Sequence, residues 1–390
     1  MIIKPQPNPL LPVCDFTSHR ADKCEMEGDI RIHGSTSQVF VITDQVTSQE
    51  EKLTWQVRPY TRKPDKTMLL IREVSVKITR KRRALACQVN HSVPAVIFST
   101  RGYCGNYWHD FNDILVPLFI TAHQFNGEVE FLVTQMKNWW FGKYINYFRG
   151  MSKYDVIDLD KVDNVHCFPR TIVGLHSHKD FSIDPAKAPN GYSMQDFTKF
   201  MRGAYSLERD LAIKMRENPW RKPRLYIIPR KNKRMLTNMN EIIPMAVELG
   251  FEVVIEGSIQ YTSVKDAAQV INSCDVMMGV HGAGLTNMVF LPPGAVVIQI
   301  IPLGKLDGLF HNEFGIPAVD MKLKYIAYNI TEEESTLVNL YRRDDPVFTN
   351  PKSIHEQGWE TLARIYMKEQ NVKLDVERFR PILQTAIKHL

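Results

Sequence analysis

An α/β fold with a parallel sheet in its second half is predicted by three observations. From residue 224 onward, strand-length apolar runs alternate with helix-length amphipathic runs. A glycine-rich turn, His281-Gly282-Ala283-Gly284, joins one such strand directly to a helix. The chain has 390 residues, 44% hydrophobic and 10% aromatic. A single hydrophobic core rarely grows beyond about 250 to 300 residues, so two domains are expected.

In chain order, residues 38–42, 67–71 and 95–99 are rich in β-branched or apolar side chains and predict buried strands. After Gly105, the apolar residues Phe111, Leu115, Leu118 and Phe119 recur at helical spacing. This predicts a helix from Asn106 whose first turns carry His109, Asp110, Asn112 and Asp113. The cluster Trp139, Trp140, Phe141, Tyr144, Tyr147 and Phe148 reads as helical. Core packing is favoured for these rings over a platform for stacking sugars. A long amphipathic helix is expected from Ser193, with Asp196 three residues on, ending at Pro219 and Pro223. Strands are then expected at 224–228, 251–255, 276–280, 296–301 and 325–328. Helices fall at 240–249, stopped by Gly250, at 264–273, from Leu285 and near Leu309. That alternation implies right-handed βαβ units and a sheet covered on both faces.

Lys and Arg total 49 against 43 Asp and Glu, a net charge of +6. This attracts anions but falls short of a nucleic-acid binder, so a small phosphorylated ligand fits better and no nucleic-acid partner is expected. The basic run Arg80 to Arg83 reads as a solvated strand end. Six cysteines form no CxxC pair and no zinc-spaced cluster, which argues against structural zinc. In an oxidising compartment Cys14 and Cys24 could close a short loop, and other pairings stay open. Asn90-His-Ser and Asn329-Ile-Thr are glycosylation sequons, weak evidence by themselves for that compartment. No window of about 18 uncharged apolar residues occurs, and the proline-rich start is too short for a signal or spanning helix. Asp158 and Asp160 form a DxD pattern, but it lies far in sequence from the glycine turn and metal binding there is disfavoured.

Ligands of open parallel sheets bind outside the carboxyl ends of the strands. The residues standing there are Arg230, Glu256, His281 and Pro302. The turn Gly282-Ala283-Gly284 opening into Leu285, Thr286 and Asn287 lets backbone amides approach a phosphate at a helix N-terminus. Arg230 and Arg234 lie in the basic loop of a neighbouring strand end, so the group predicts a diphosphate cradle that needs no metal.

HGAGLTNMVFLPPGAVVIQIIP from His281, GDIRIHGSTSQVFVI from Gly28 and GNYWHDFNDILVPLF from Gly105 together closely resemble glycosyltransferase family 61. CDF at Cys14, CEMEGD at Cys24 and YNITEEESTL from Tyr328 resemble its plant clade, which decorates xylan. The resemblance implies a GT-B fold: two Rossmann-like domains facing across a cleft, with a C-terminal helix crossing back. Residues 1–195 would form the acceptor and catalytic domain, 196–356 the UDP-sugar domain, and 357–390 the returning helical segment. It also implies an inverting enzyme without an essential metal or other cofactor. Such an enzyme would move xylose or arabinofuranose from UDP-xylose or UDP-arabinofuranose to a hydroxyl of xylan or a xylo-oligosaccharide. Family members are usually Golgi type II membrane proteins, so this chain is expected to be the soluble lumenal part, tied to the membrane only by an anchor it lacks.

The family motif His-x-Phe-x-Asp matches His109, Phe111 and Asp113. Inversion by one displacement needs a base near the acceptor and stabilisation of the departing diphosphate. Asp113 or His109 is expected as the base, with Asp110 as the fallback, since His109 and Asp113 share one face of a helix start. Arg230, Arg234 and His281 with Gly282, Ala283, Gly284 and Leu285 would hold the donor diphosphate, helped by Thr286 and Asn287. Glu334 is a candidate for the ribose hydroxyls, its acidic run reading equally as a solvated loop, with Glu256, for the ribose or the base, ranked below it. His176 and His178, in a segment that matches the family, are expected to hydrogen-bond in the cleft. Tyr107 and Trp108, with the Trp139-Trp140 pair, are the candidate acceptor contacts. Competing readings are an N-acetylglucosaminyltransferase acting on glycoproteins and a polysaccharide or nucleotide-sugar binding protein without turnover.

Overall fold

The structure, a computed structural model, describes residues 11–255 and 263–390. It has a mixed α/β build and divides into two compact units between Ser193 and Met194.

The first unit is built on ten strands: β1 (Val13–Asp15), β2 (Lys23–His33), β3 (Gln38–Ile42), β4 (Thr54–Val57), β5 (Val74–Thr79), β6 (Val89–Asn90), β7 (Ala95–Ser99), β8 (Glu130–Thr134), β9 (Ile157–Asp158) and β10 (Val165–Val173). Their order is β4-β5-β3-β2-β10-β7-β8-β9, with β1 on β2 and β6 on β10. Only part of this sheet is parallel. The run β10-β7-β8-β9 is parallel, whereas β2 lies antiparallel to β10 and β3, so the unit departs from a wholly parallel Rossmann sheet. All five residues of β7 and of β8 are buried, as expected for strands covered on both faces. Disulfides Cys14–Cys24 and Cys87–Cys167 close this unit, while Cys104 and Cys274 are buried thiols.

Two expected elements differ. Of residues 67–71, expected as a strand, the first four belong to a short 3₁₀ helix, Lys66–Leu70, because the Asp65 side chain accepts from the Thr67 amide and caps it. The helix expected from Ser193 to Pro219 spans only Met194–Ala204. The chain then turns, with Ser206 in the left-handed region, and is fixed by Arg209 pairing with buried Asp275 at 2.5 Å.

The second unit carries β11 (Arg224–Ile228), β12 (Glu252–Ile255), β13 (Val276–Val280), β14 (Val296–Ile301) and β15 (Lys324–Asn329). Their order is β12-β11-β13-β14-β15 and every pairing is parallel. The chain moves outward from β11 to β12 and then returns to add β13 on the other side. The switch point therefore lies between β11 and β13, where open α/β sheets leave a ligand crevice. The closing helix Val376–His389, capped by Asp375, buries Phe379, Leu383 and Ala386 in this unit's own core beside Tyr328. No helix of the described residues is long and apolar enough to cross a membrane.

Candidate active site

In the first unit the helix over residues 107–122 begins as Tyr107–His109, widens into a π turn over Asp110–Leu115, and returns to α geometry in Val116–Ala122. Pro117 accounts for the widening. It has no N–H to give the carbonyl four residues earlier, and its ring crowds that carbonyl. The carbonyl belongs to Asp113 and instead accepts the Thr61 hydroxyl at 2.8 Å. The Asp113 side chain is fully buried. Its Oδ2 lies 2.9 Å from His109 Nδ1 and accepts the Tyr60 hydroxyl at 2.7 Å. Its Oδ1 accepts from Asn112 Nδ2 and lies 3.6 Å from the Arg62 guanidinium. Burial, followed by the charge and hydrogen bond of Asp113, drives the Tyr60 pKa far upward, so Tyr60 remains a donor.

His109 is partly exposed and stacks on Tyr103 at 4.5 Å. With Nδ1–H directed at the carboxylate, its other ring nitrogen carries the lone pair. This is the arrangement of a base held in one tautomer by a buried acid. Of these two candidate bases, Asp113 and His109, only His109 reaches solvent. Asp110, the fallback, is fully buried and committed. It accepts from the Gly105 amide at 2.7 Å and the Tyr144 hydroxyl at 2.7 Å, and pairs with Lys143 at 3.2 Å.

Of the expected acceptor contacts, Trp108 is buried, while Tyr107 is half-buried beneath the Lys143 ammonium, 4.8 Å from its ring. His176 donates its amide to Thr121 and meets Glu25 through Nε2 at 3.0 Å. That hydrogen bond, with Lys23 nearby, holds the Glu25 carboxyl down to about 2. His178 is pushed down to about 4, chiefly by burial, and its Nδ1 has no partner among the described residues. Both histidines line a cavity of about 580 Å³ with Thr17, Arg20, Lys23 and Ser177. Arg20 connects this wall to Asn112, 3.5 Å away, and so to Asp113.

In the second unit the switch point is occupied by the predicted residues. The Arg230 guanidinium packs against Gly282, where a Cβ would lie 2.1 Å from Nη1, and Gly282 has a φ of +148° that disfavours side chains. Gly282 opens a 3₁₀ helix, Ala283–Phe290. The Leu285 amide is returned to Gly282 O at 3.0 Å, so the amides of Ala283 and Gly284 are the ones without an intrahelical acceptor. Thr286 is buried with its hydroxyl unpartnered among the described residues, and Asn287 is buried beside it in sequence.

Arg230 and Arg234 both adopt left-handed backbone, at φ 53° and 52°, a strain that structures retain where a side chain must be aimed. Arg234 is buried. Its Nη1 meets Met367 Sδ at 3.3 Å, and no carboxylate among the described residues forms an ion pair with it. Burial, and then Arg230, push its pKa to about 9, which still leaves it charged at neutral pH. Such a cation is costly until an anion arrives.

His281 is buried and stacked on Phe310 at 3.5 Å. Burial, Arg234 and Arg230 hold its pKa well below 6.5, so it is neutral. Gln299 fixes the tautomer. Its Oε1 accepts the Tyr325 hydroxyl at 2.7 Å, so its Nε2 donates to His281 Nδ1 at 2.8 Å. The proton of His281 then sits on Nε2, 3.4 Å from Glu313.

Glu334, expected at a ribose, is instead buried inside the fold. It accepts from Tyr328 Oη, the Thr331 and Asp375 amides and Arg378 Nη1, the last at 2.6 Å, which leaves its carboxylate no free edge. Glu256 lies outside the described residues. Asp158 pairs with Lys161, and Asp160 with Arg72 and the Gln135 amide. Among the described residues no group of three or more His, Cys, Asp or Glu is disposed to hold a metal ion. Sequence reasoning missed Tyr60, Arg62, Asn112, Gln299, Tyr325 and Glu313. Gln299 carried a signal, being the one polar residue in the apolar strand VVIQII. Tyr60 and Arg62 carried none, since they reach the site from a loop about fifty residues away.

Residues 107–298 match the family model described as Glycosyltransferase 61. The chain is 51% identical over 380 residues to an alpha-1,3-arabinosyltransferase of Oryza sativa subsp. japonica, covering 97% of this chain and 65% of that protein. It is 47% identical over 389 residues to a beta-1,2-xylosyltransferase of the same organism, covering 96% of this chain and 83% of the relative. A xylan glycosyltransferase of Arabidopsis thaliana is 36% identical over 389 residues, with 96% and 78% covered. The chain thus spans just under two thirds of the length of the first of these relatives.

Proposed function

The chain belongs to glycosyltransferase family 61, and we propose that it is an inverting enzyme transferring a pentose from a UDP-sugar to a xylan hydroxyl. The observation that carries this reading is the Arg230–Arg234 pair at the β11/β13 switch point, where Arg234 is buried and no carboxylate among the described residues forms an ion pair with it. A diphosphate would give both guanidinium groups an anionic partner. Arg230, Arg234, the Nε2–H of neutral His281 and the Ala283 and Gly284 amides supply charge and donors where the leaving group gains negative charge. A charge-assisted hydrogen bond contributes about 1.5 to 3 kcal/mol, so this set can hold UDP without a metal.

On the acceptor side, His109 removes the proton from the attacking hydroxyl. Asp113 holds the imidazole through Nδ1 and stabilises the imidazolium that forms, while Tyr60, Asn112 and Arg62 fix the Asp113 carboxylate in place. The names of the two rice relatives specify a pentose and that of the Arabidopsis relative specifies xylan, which supports both the donor and the acceptor class. A GT-B assignment goes with this reading, with the second unit as the nucleotide-sugar domain and the first as the acceptor domain. The two disulfides support an oxidising lumen, and the Golgi is the compartment we assign.

The test is mass spectrometry of xylo-oligosaccharides after incubation with UDP-xylose and, separately, UDP-arabinofuranose. A single-pentose increment from one donor supports the reading. An increment only with UDP-N-acetylglucosamine and a glycoprotein acceptor would replace it.

A further inference from the structure

The adjacent residues Trp139 and Trp140 have opposite fates. Trp140 is fully buried among Phe141, Tyr144 and Phe148, whereas Trp139 is 58% exposed. Trp139 lies in the first turn of the short helix Asn138–Lys143, and that helix start is fastened to the turn preceding His109. Lys137 donates its amide to Thr100 Oγ1 at 3.1 Å and its ammonium to the Cys104 carbonyl at 2.9 Å. The six-membered part of the Trp139 ring lies against Gly105, where a Cβ would stand 3.1 Å from it. Gly105 in turn donates its amide to Asp110, the neighbour of His109. On the same turn Tyr103, 40% exposed, stacks on His109 and is held by its hydroxyl to Asp65 at 3.1 Å. The result is a large aromatic face, fixed to the backbone and open to solvent, on the turn that carries the imidazole.

Core packing does not account for this placement, because the adjacent Trp140 already fills the core. The other highly exposed tryptophans among the described residues, Trp220 and Trp359, belong to the second unit. A planar apolar face next to a proton acceptor suits a pyranose ring, whose axial C–H groups pack on aromatic faces while its hydroxyls stay in water. We propose that Trp139 is the stacking platform for a xylosyl ring of the acceptor chain next to the one being modified. This rests on the acceptor reading given above and adds to it the residue that sets acceptor length preference. Lys137, held to the Cys104 carbonyl, and Lys143, paired with Asp110, tie the short helix that carries Trp139 to the segment around His109.

Initial rates are to be measured with xylobiose through xylohexaose as acceptors for the wild type, Trp139→Ala and Trp139→Phe. Trp139→Ala is expected to raise KM for the longer acceptors about tenfold while moving kcat less than about threefold, and Trp139→Phe to recover most of the difference. Titration of the wild type with xylohexaose is expected to change tryptophan fluorescence, and the change should vanish in Trp139→Phe. An unchanged KM and an unchanged fluorescence response in these variants, with the wild type transferring normally, would overturn the platform. Absence of transfer by the wild type to every xylo-oligosaccharide would instead remove the acceptor reading, and the platform with it.

Discussion

The guanidinium of Arg230 occupies the space in which a Cβ at Gly282 would stand, 2.1 Å from Nη1. The two strand ends of the switch point are thereby locked together: residue 282 must be glycine for the arginine after β11 to reach the turn after β13. Gly282→Ala is expected to displace Arg230 and weaken UDP binding about 10- to 100-fold, the worth of one charge-assisted contact. Calorimetry with UDP measures this. Wild-type affinity in that variant would take Arg230 out of the donor site.

Asp113→Asn is expected to lower kcat about 100- to 10,000-fold while UDP affinity stays within about twofold. An amide presents the wrong partner to His109 Nδ1–H and releases the imidazole from the tautomer that leaves its other nitrogen basic. Single-turnover rates with saturating donor measure it. Asparagine is preferred to alanine because Asp113 also satisfies Tyr60, Asn112 and Arg62, and a void there would confound catalysis with stability.

Much of this was legible in the sequence, for definite reasons. Strands β11, β13 and β14 are apolar runs bounded by breakers, and their order along the chain fixes a parallel sheet whose carboxyl edge holds Arg230 and His281. Local patterns failed where the deciding contact was distant or lay in the backbone. The capping of Thr67 by Asp65 turned an apolar run into a 3₁₀ helix, and the alternation of Thr67 and Met68 inside with Leu69 and Leu70 outside is not a strand's. Glu334 stood in an acidic run that reads as a solvated loop or a ribose contact, and only the returning residues Asp375 and Arg378 reveal it as an interior anchor. That Asp113 is buried while His109 reaches solvent is something that spacing four residues apart cannot express.

Glu334→Gln is accordingly expected to destabilise the fold by about 2 to 4 kcal/mol through loss of the buried pair with Arg378, with the KM for donor unaltered. Thermal unfolding measures the loss. A normal melting temperature together with lost UDP affinity would return Glu334 to the ribose.

Stability is expected to fall as pH drops through 6.5. Burial holds His178 at about 4 and His281 well below 6.5, so both are neutral in the folded chain, while the unfolded chain takes up their protons near 6.5. The unfolded state therefore binds more protons below 6.5, and the contribution of His178 is exhausted near pH 4. Glu25, ordinarily 4.5 and held at about 2 chiefly by the His176 hydrogen bond, adds a second loss between those values. Melting temperatures from pH 8 to 4 should decline, and His178→Gln should flatten the decline. A profile unchanged by that substitution would contradict the assignment.

Donor binding through arginines, a neutral histidine and amides predicts that excess EDTA leaves the transfer rate within about twofold. Loss of activity restored by a divalent cation would add a metal to the diphosphate site.

The most direct test is one transfer experiment with the wild type and His109→Ala, each incubated with a UDP-pentose and xylohexaose and read by mass spectrometry, with UDP affinity measured in parallel. The expected result is a single-pentose increment in the wild type and, at equal UDP affinity, a rate at least about 100-fold lower in His109→Ala. A variant that transfers at the wild-type rate, or a wild type that adds no pentose from either UDP-xylose or UDP-arabinofuranose, would contradict the central claim.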